Sequence, residues 1–249
     1  MLLAIDIGNT NISCGIFNGL RLIKQFDIPT NAGFKANFKK RFKNNPKISD
    51  SVICSVVPKQ TRLVLSSLLS VTGKRPYIIG KELTVPIKNL YRKPKQVGQD
   101  RLVNAYAASI LYKTPLIAVD SGTAITFDVI SKNKAYLGGL IVPGMEISLK
   151  ALKERTALLP FVKLSRPQML IGTDTKNSIL SGIVFGTSDL CNGIVKRLKA
   201  RLGKDALVIG TGGNIRMIQE YSGIHMKMDK DLTLKGMNFT YKHAIKKSL

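Results

Sequence analysis

The stretch AVDSGTAITFD, Ala118–Asp128, decides the fold, because an apolar run ends at one carboxylate and is followed at once by glycine and a hydroxylated residue. The same order of residues occurs near the N-terminus, where AIDIGNTN spans Ala4–Asn11. Each copy predicts a strand, a tight turn and a returning strand. Two such copies at corresponding places indicate an internal duplication.

Similar elements follow both hairpins. The first copy continues as a strand, Arg21–Ile28, a basic helix over 31–45 that Pro46 ends, and a continuously apolar strand over 50–58. A helix followed by a continuously apolar strand is typical of a covered, partly parallel sheet. The second copy is followed by a third strand and by a helix beginning near Met145. One or two helices over 177–203 come next, then a buried strand, and finally a short helix and strand to the end. We therefore expect an α/β protein of two domains, 1–114 and 115–249, each a mixed sheet flanked by helices.

Composition excludes several classes of protein. Hydrophobic residues make up 44% and charged residues 22%, which is typical of a folded chain. Cys14, Cys54 and Cys191 are scattered without CxxC spacing, which argues against a disulfide framework and a zinc site and favours a reducing cytoplasm. The N-terminus reaches Asp6 too early for a signal peptide, and no apolar run of about 18 residues follows. We expect neither export nor a membrane span.

The charge predicts an anionic partner. The formal net charge is +24, from 39 Lys and Arg against 15 Asp and Glu, so much of the surface carries positive potential. The basic residues form separate groups at Lys35–Lys47, Lys88–Lys95 and Lys242–Lys247, without one stripe interleaved with aromatic residues. Solvated basic faces are therefore a simpler interpretation than a nucleic-acid surface, and small anionic substrates benefit from the same field.

Chemically, the two hairpins are suited to phosphate. Glycine permits close backbone approach, so consecutive turn amides can point at one anion, while Asn and Thr side chains add donors. The carboxylate of Asp6 or Asp120 repels phosphate, so its use is to hold a cation or a water that faces the phosphates. Two hairpins would hold a polyphosphate across a cleft between the domains. The alternative is two unrelated turns, in which Asp and Gly are common, and the duplication argues against it.

A third glycine-rich segment, VIGTGGN at 208–214, follows a buried strand. Its backbone could pass close to a nucleotide base or ribose. It does not complete the GxGxxG dinucleotide pattern, and no βαβ unit opens there.

Taken together, the motifs resemble the acetate and sugar kinase, Hsc70 and actin superfamily, and within it the type III pantothenate kinase family. The resemblance covers essentially the whole chain and rests on six motifs in that family's order: DIGNTN at 6–11, VGQDR at 97–101, VDSGTAITFD at 119–128, GGLIVPGMEIS at 138–148, TALLP at 156–160 and SGIVFG at 181–186. One departure is Gln99, where the family more often has Ala.

That resemblance implies a duplicated actin-like, ribonuclease H-like fold and transfer of the ATP γ-phosphoryl group to an alcohol, the terminal hydroxyl of pantothenate, in coenzyme A biosynthesis. It further implies Mg²⁺, a monovalent cation (K⁺ or NH₄⁺) and a cytoplasmic homodimer in which Thr175 reaches the neighbouring subunit's site. By matching positions, ATP contacts Asp6, Ile7, Gly8, Asn9, Thr10, Asn11, Ile12, Ser13 and Thr123, and Asp120 holds the monovalent cation. The substrate contacts Tyr91, Gly98, Gln99, Asp100, Arg101 and Thr175, with Asp100 as the catalytic residue.

Each of these residues also has a simpler interpretation. A carboxylate in a first helical turn, such as Asp100, is often only a partner of the helix dipole. Most arginines at a surface do nothing as specific as Arg101 would, and the ring of Tyr91 could shield a core edge. Thr175 could be the N-cap of the following helix.

Two other functions compete with this one. One is another kinase or a polyphosphate phosphatase of the same superfamily. The other is a nucleic-acid-binding transcriptional accessory protein, with which the charge is compatible. Asp6, Asp100, Asp120 and Asp128 favour chemistry, because DNA binding requires none of them and each repels phosphates unless a cation intervenes. We therefore expect a small-molecule substrate and no nucleic-acid partner.

Overall fold

The computed structural model describes residues 1–30, 33–42 and 48–247, and this part of the chain forms two compact units. Unit 1 is Met1–Leu111 together with the chain from Asp231 onward, and unit 2 is Tyr112–Lys230. Each unit has its own five-stranded mixed sheet.

The sheet of unit 1 begins as a meander and ends in parallel strands. Its order is β3-β2-β1-β4-β5, with β1–β3 antiparallel, β4 parallel to β1 and β5 parallel to β4. The strands are β1 (Leu2–Ile7), β2 (Asn11–Asn18), β3 (Arg21–Pro29), β4 (Asp50–Ser55) and β5 (Tyr77–Ile78). β1 and β4 are buried along most of their length, which is why both appear in the sequence as continuous apolar runs.

Before the chain enters unit 2, the described residues of unit 1 form the helices α1 (Phe34–Phe42), α2 (Pro58–Thr72) and α3 (Gln99–Leu111). Gly73 takes a left-handed conformation directly after α2, with φ of 68°. The helix predicted over 31–45 is present as α1, while residues 31–32 and 43–47, with the predicted end at Pro46, lie outside the described residues.

Unit 2 repeats the topology of unit 1. Its sheet order is β10-β9-β6-β7-β8, with an antiparallel meander β6–β8 and with β9 and β10 parallel. The strands are β6 (Leu116–Ser121), β7 (Ala124–Ile130), β8 (Tyr136–Pro143), β9 (Leu207–Thr211) and β10 (Lys227–Met228). Each strand takes the place of the one numbered five lower in unit 1, which confirms the predicted duplication.

The helices of unit 2 are α4 (Met145–Arg155), α5 (Thr175–Leu202) and α6 (Ile215–Ser222). α5 is a single helix, which resolves the alternative of one or two helices over 177–203. By length and composition alone it could cross a membrane, and it is the one helix among the described residues that passes this test. In the structure its buried residues, which include Val184, Cys191 and Val195, pack into the core of unit 2.

The last helix, α7 (Leu232–Lys247), corrects two predictions. The sequence suggested a strand at the end and placed this segment in the second domain, but α7 packs against α3, β1 and β4 of unit 1. The approach to α3 is close, since a Cβ atom on Gly236 would lie 2.4 Å from the Val103 carbonyl oxygen. Thr233 also donates a hydrogen bond of 2.8 Å to Asn104 Oδ1. Tertiary packing therefore stabilises a helix that includes Thr233, Gly236 and Asn238, which have low helix propensity.

Candidate active site

The β1–β2 hairpin presents a turn with exposed side chains above a buried strand pair. Its turn is closed by a hydrogen bond of 2.9 Å from the Gly8 amide to the Asn11 carbonyl. Thr30, which directly follows β3, stabilises the turn by donating a hydrogen bond of 2.8 Å from its hydroxyl to the Gly8 carbonyl. Asn9, Thr10 and Asn11 are exposed. The turn thus offers side-chain amide and hydroxyl groups to a ligand from a fixed backbone.

The predicted ATP segment 6–13 divides into two classes of side chain. Ile7 and Ile12 are fully buried in the core of unit 1, so only their backbone groups are available to a ligand. Ser13 donates a hydrogen bond of 2.7 Å to Asp27 Oδ1. Asp6 is half-buried and pairs in register with Ser13 on β2 and with Cys54 on β4.

Asp100 lies in the first turn of α3, and its carboxylate folds back over Gly98. A Cβ atom on Gly98 would lie 2.5 Å from Asp100 Oδ1, so glycine leaves the space that the carboxylate occupies. The same oxygen accepts a hydrogen bond of 2.9 Å from the Arg101 amide. Burial raises the pKa of the Asp100 carboxyl above its ordinary value, and the Arg101 amide and charge oppose that shift. The Arg101 side chain is itself buried.

Cys54 is fully buried on β4 and pairs in register with Asp6 on β1. Burial raises the pKa of its thiol well above the ordinary value, and the negative charges of Asp6 and Asp100 raise it further. Within unit 1, the thiol therefore lies beside Asp6 and also responds to the charge of Asp100.

Tyr91 lies in an irregular loop, between Ile87 and the short 3₁₀ turn Pro94–Gln96, that leads to the Asp100 turn. The Asn89 side chain stabilises the loop through two hydrogen bonds. It accepts one of 3.0 Å from the Tyr91 amide and donates one of 3.4 Å to the Pro94 carbonyl. The ring is half-buried, so one part of it is exposed to a ligand and another part packs on the protein.

In unit 2 three loops meet at Asp120. The β6–β7 turn is closed by a hydrogen bond of 3.0 Å from the Gly122 amide to the Ala124 carbonyl. Thr123, which is half-buried, accepts at its carbonyl a hydrogen bond of 3.2 Å from the Gly144 amide after β8. From the loop after β9, the Asn214 amide donates 3.1 Å to the Ser121 carbonyl. The glycine-rich segment seen in the sequence therefore supports this hairpin.

Gly212 lies directly against Asp120 and Ser121. Its φ is +91°, and a Cβ atom there would lie 2.5 Å from both Asp120 Oδ1 and the Ser121 carbonyl oxygen. These two oxygens therefore lie close to one another at Gly212. A carboxylate and a carbonyl oxygen are the kinds of donor that hard cations prefer.

Thr175 is the first residue of α5, and the prediction that it could be the N-cap is wrong. The N-cap is Asp174, whose carboxylate accepts 2.9 Å from the Asn177 amide. That bond, with another from the Asn177 side chain, lowers the pKa of Asp174. Thr175 is exposed at the edge of an open depression of about 610 Å³ lined also by Leu159 and Gly172. Its hydroxyl is thus available for another contact.

Asp128, the fourth carboxylate noted in the sequence, has a structural place in unit 2. It is fully buried and accepts hydrogen bonds of 3.0 Å from the Tyr136 hydroxyl and 3.3 Å from the Thr126 hydroxyl. Its burial is incompatible with direct contact with solvent-borne phosphate.

Sequence reasoning missed two residues of this region. Cys54 could have been found by aligning β4 with β1, because both apolar runs end at the same edge of the sheet. Gly80 had no signal in the sequence, although the Gln99 side chain lies directly against it.

Comparisons with known proteins agree with this geometry. The family model described as type III pantothenate kinase matches residues 2–197. A type III pantothenate kinase of Agathobacter rectalis is 35% identical over 259 residues, covering 100% of both chains.

Solved structures of lower identity share the fold. A Campylobacter jejuni protein assigned provisionally to the Baf family of transcriptional activators has a TM-score of 0.63 at 20% identity, covering 98% of this chain and 99% of that one. A Sinorhizobium meliloti protein assigned provisionally as a 2-dehydro-3-deoxygalactonokinase has a TM-score of 0.59 at 12% identity, covering 98% and 96%. The chain thus has the duplicated actin-like α/β fold that the sequence predicts.

Proposed function

The chain belongs to the type III pantothenate kinase family, and from that premise we propose that its Asp100 orients the hydroxyl group that is phosphorylated. The enzyme transfers a phosphoryl group from ATP to pantothenate, giving 4′-phosphopantothenate in the first step of coenzyme A biosynthesis. Membership in this family supports pantothenate phosphorylation over the other kinase and phosphatase activities that compete with it. The cytoplasm is the compartment we propose, because all three cysteine thiols are buried and the substrates are metabolites.

The single observation that supports the role of Asp100 is its fixed carboxylate. Phosphoryl transfer passes through a loose transition state, so the protein acts mainly by positioning and by stabilising charge. The Arg101 amide holds one carboxylate oxygen over Gly98, and the fixed carboxylate would accept a hydrogen bond from the substrate hydroxyl. The hydroxyl proton passes to Asp100 late, as the bond to phosphorus forms. Arg101, Tyr91 and the backbone of Gly98 and Gln99 complete the proposed substrate contacts.

For ATP we propose contacts with the two hairpin turns. The exposed side chains of Asn9, Thr10 and Asn11 and the backbone of Gly8 would donate to phosphate oxygens, and Thr123 would add a hydroxyl donor. Asp6 would face the Mg²⁺ that accompanies ATP or one of its waters, since its carboxylate repels phosphate directly. Ile7 and Ile12 would contribute only backbone groups, and Ser13 would lie at the end of the segment.

A monovalent cation, K⁺ or NH₄⁺, is the further cofactor that we propose for Asp120. The closeness of the Asp120 carboxylate and the Ser121 carbonyl oxygen at Gly212 supports it. When bound, such a cation supplies positive charge beside the phosphates. Asp120 would hold it in place, and the left-handed Gly212, which has no side chain, lets the two oxygens approach one another.

A homodimer is the assembly that we propose, with the surface of unit 2 as its interface. The segment between α4 and α5 exposes large apolar side chains, with Leu158 92% exposed and Ile171 78% exposed. Phe161 and Leu170 are exposed in the same segment. Apolar exposure of this extent is typical of an interaction surface. Thr175 follows directly, so a dimer would bring its hydroxyl to the partner's substrate.

Mixed dimers test the shared site. Subunits carrying Asp100→Asn and subunits carrying Thr175→Arg are each expected to be inactive alone, and mixing them should restore turnover because one site per mixed dimer keeps both residues. The measurement is pantothenate phosphorylation after subunit exchange, which differently tagged subunits verify. Wild-type subunits mixed with Asp100→Asn serve as the control. Verified exchange without recovered turnover would contradict a composite site.

The pH dependence of kcat tests the state of Asp100. The ionised carboxylate accepts the hydroxyl proton, so kcat should fall as pH drops through the pKa of Asp100. Because burial raises that pKa, the acid limb should lie above about 3.9, the usual value for aspartate. Saturating pantothenate removes the ionisation of the free substrate from the profile. A limb at or below the usual value would count against a buried, catalytic Asp100.

A further inference from the structure

The turn that carries Asp100 is the first turn of α3, and it begins directly after Gly98. Leu102 donates a hydrogen bond of 3.3 Å to the Gly98 carbonyl, and the Arg101 amide is bonded to the Asp100 carboxylate. Gly98 has no side chain to limit its rotation. A side-chain contact at this point would therefore restrain the direction in which the turn leaves the loop.

Gln99 supplies that contact. Its half-buried side chain lies against the backbone of Gly80, where a Cβ atom would be 2.8 Å from both Gln99 Cγ and Cδ and 3.2 Å from Oε1. Gly80 has a φ of +87°, a conformation that favours glycine. The side chain of Gln99 thus fills the space that the missing Cβ leaves.

The segment that carries Gly80 is rigid. The Gly80 amide donates a hydrogen bond of 2.7 Å to the Leu83 carbonyl. The Ile79 amide donates a hydrogen bond of 2.9 Å to the Ile53 carbonyl on β4. Glu82 accepts 2.9 Å from the Ile78 amide. Ile78, Ile79 and Leu83 are buried. Gly80 is therefore tied to β4, the strand on which Cys54 lies beside Asp6.

We propose that Gln99 is a positioning residue that braces the Asp100 turn against Gly80, and that its side chain does not bind the substrate. The brace connects β4 to Asp100 through side-chain packing. It fixes the distance between the Asp100 carboxylate and the β1–β4 pair that carries Asp6. The inference rests on the proposed role of Asp100.

Three variants test the brace. Gln99→Ala removes the contact with Gly80, and Gln99→Met keeps its length and packing without the amide. Gln96→Ala, at an exposed position in the same loop, is the matched control. We expect Gln99→Ala to lose about tenfold to 10² in kcat, the cost of a misplacement of about 1 Å, with the Kd of pantothenate and ATP within about twofold. Gln99→Met should keep kcat within about threefold, and Gln96→Ala should match the wild type.

Hydrogen exchange gives a readout independent of turnover. The Arg101 amide is bonded to Asp100 Oδ1, so its exchange should accelerate in Gln99→Ala and stay slow in Gln99→Met. If Gln99→Ala fails to fold, the kcat of Gln99→Met alone tests the proposal. A brace that acts through packing predicts a nearly normal kcat for that variant.

The outcomes separate the two proposals. A raised Kd for pantothenate with normal kcat in Gln99→Ala would overturn the brace in favour of substrate contact, and so would an equal loss of kcat in Gln99→Met. Asp100→Asn is measured in the same assay. If that variant keeps its turnover, the proposed role of Asp100 fails; if it loses turnover while Gln99→Ala does not, only the brace fails.

Discussion

Asp100→Asn should lower kcat by about 10²–10⁴-fold, the usual contribution of a general base, while the protein stays folded. Asparagine keeps the shape of the side chain and can still accept the Arg101 amide through its carbonyl oxygen. It removes the charge and the basicity that orient the substrate hydroxyl. The Kd of ATP should hardly change, because the hairpin turns and not the Asp100 turn are the proposed phosphate contacts. Pantothenate phosphorylation and ATP titration measure the two quantities.

The same variant separates catalysis from helix stabilisation. The raised pKa of Asp100 means that folding disfavours its charged form, so above that pKa the ionised carboxylate lowers the stability of the folded state. The Tm of Asp100→Asn at neutral pH should therefore equal or exceed that of the wild type. A partner of the helix dipole predicts the reverse, a loss of about 0.3–1 kcal/mol and a Tm lower by a few degrees with turnover intact. Near-normal turnover would remove Asp100 from the mechanism.

Asp120→Ala is expected to lose most of its turnover and its response to potassium. The variant removes the carboxylate beside Gly212, so a cation held there loses its main ligand. Binding to the folded state raises Tm, and a potassium-dependent rise should therefore be present in the wild type and absent in the variant. Asp205→Ala, at an exposed position before β9, is the control and should behave as the wild type. Full activity with unchanged potassium dependence would exclude Asp120 as the cation ligand.

The duplicated hairpins could be predicted from sequence because each depends on local chemistry. Asp6 and Asp120 each end an apolar run, and the glycines that follow specify a turn whatever surrounds it. Burial of β1 and β6 on both faces leaves the same signature twice. The fold class follows from that repetition.

What could not be predicted depends on contacts between distant residues. α7 contains Thr233, Gly236 and Asn238, which have low helix propensity, and it is helical because it packs against α3. The choice of Asp174 over Thr175 as N-cap rested on one residue of register, which a sequence pattern does not resolve. The contact between Gln99 and Gly80 joins segments that no periodicity connects.

The position of α7 has a consequence for how the enzyme is made. Unit 2 is inserted between two parts of unit 1, so a ribosome synthesises all of unit 2 before it synthesises α7, which belongs to unit 1. Domains usually fold as units during synthesis, the N-terminal one first. Here the first part of unit 1 is synthesised well before α7. Val103, which approaches Gly236 in the finished protein, therefore lacks that partner in the nascent chain. Unit 2 can therefore finish folding before unit 1, although the synthesis of unit 1 begins first.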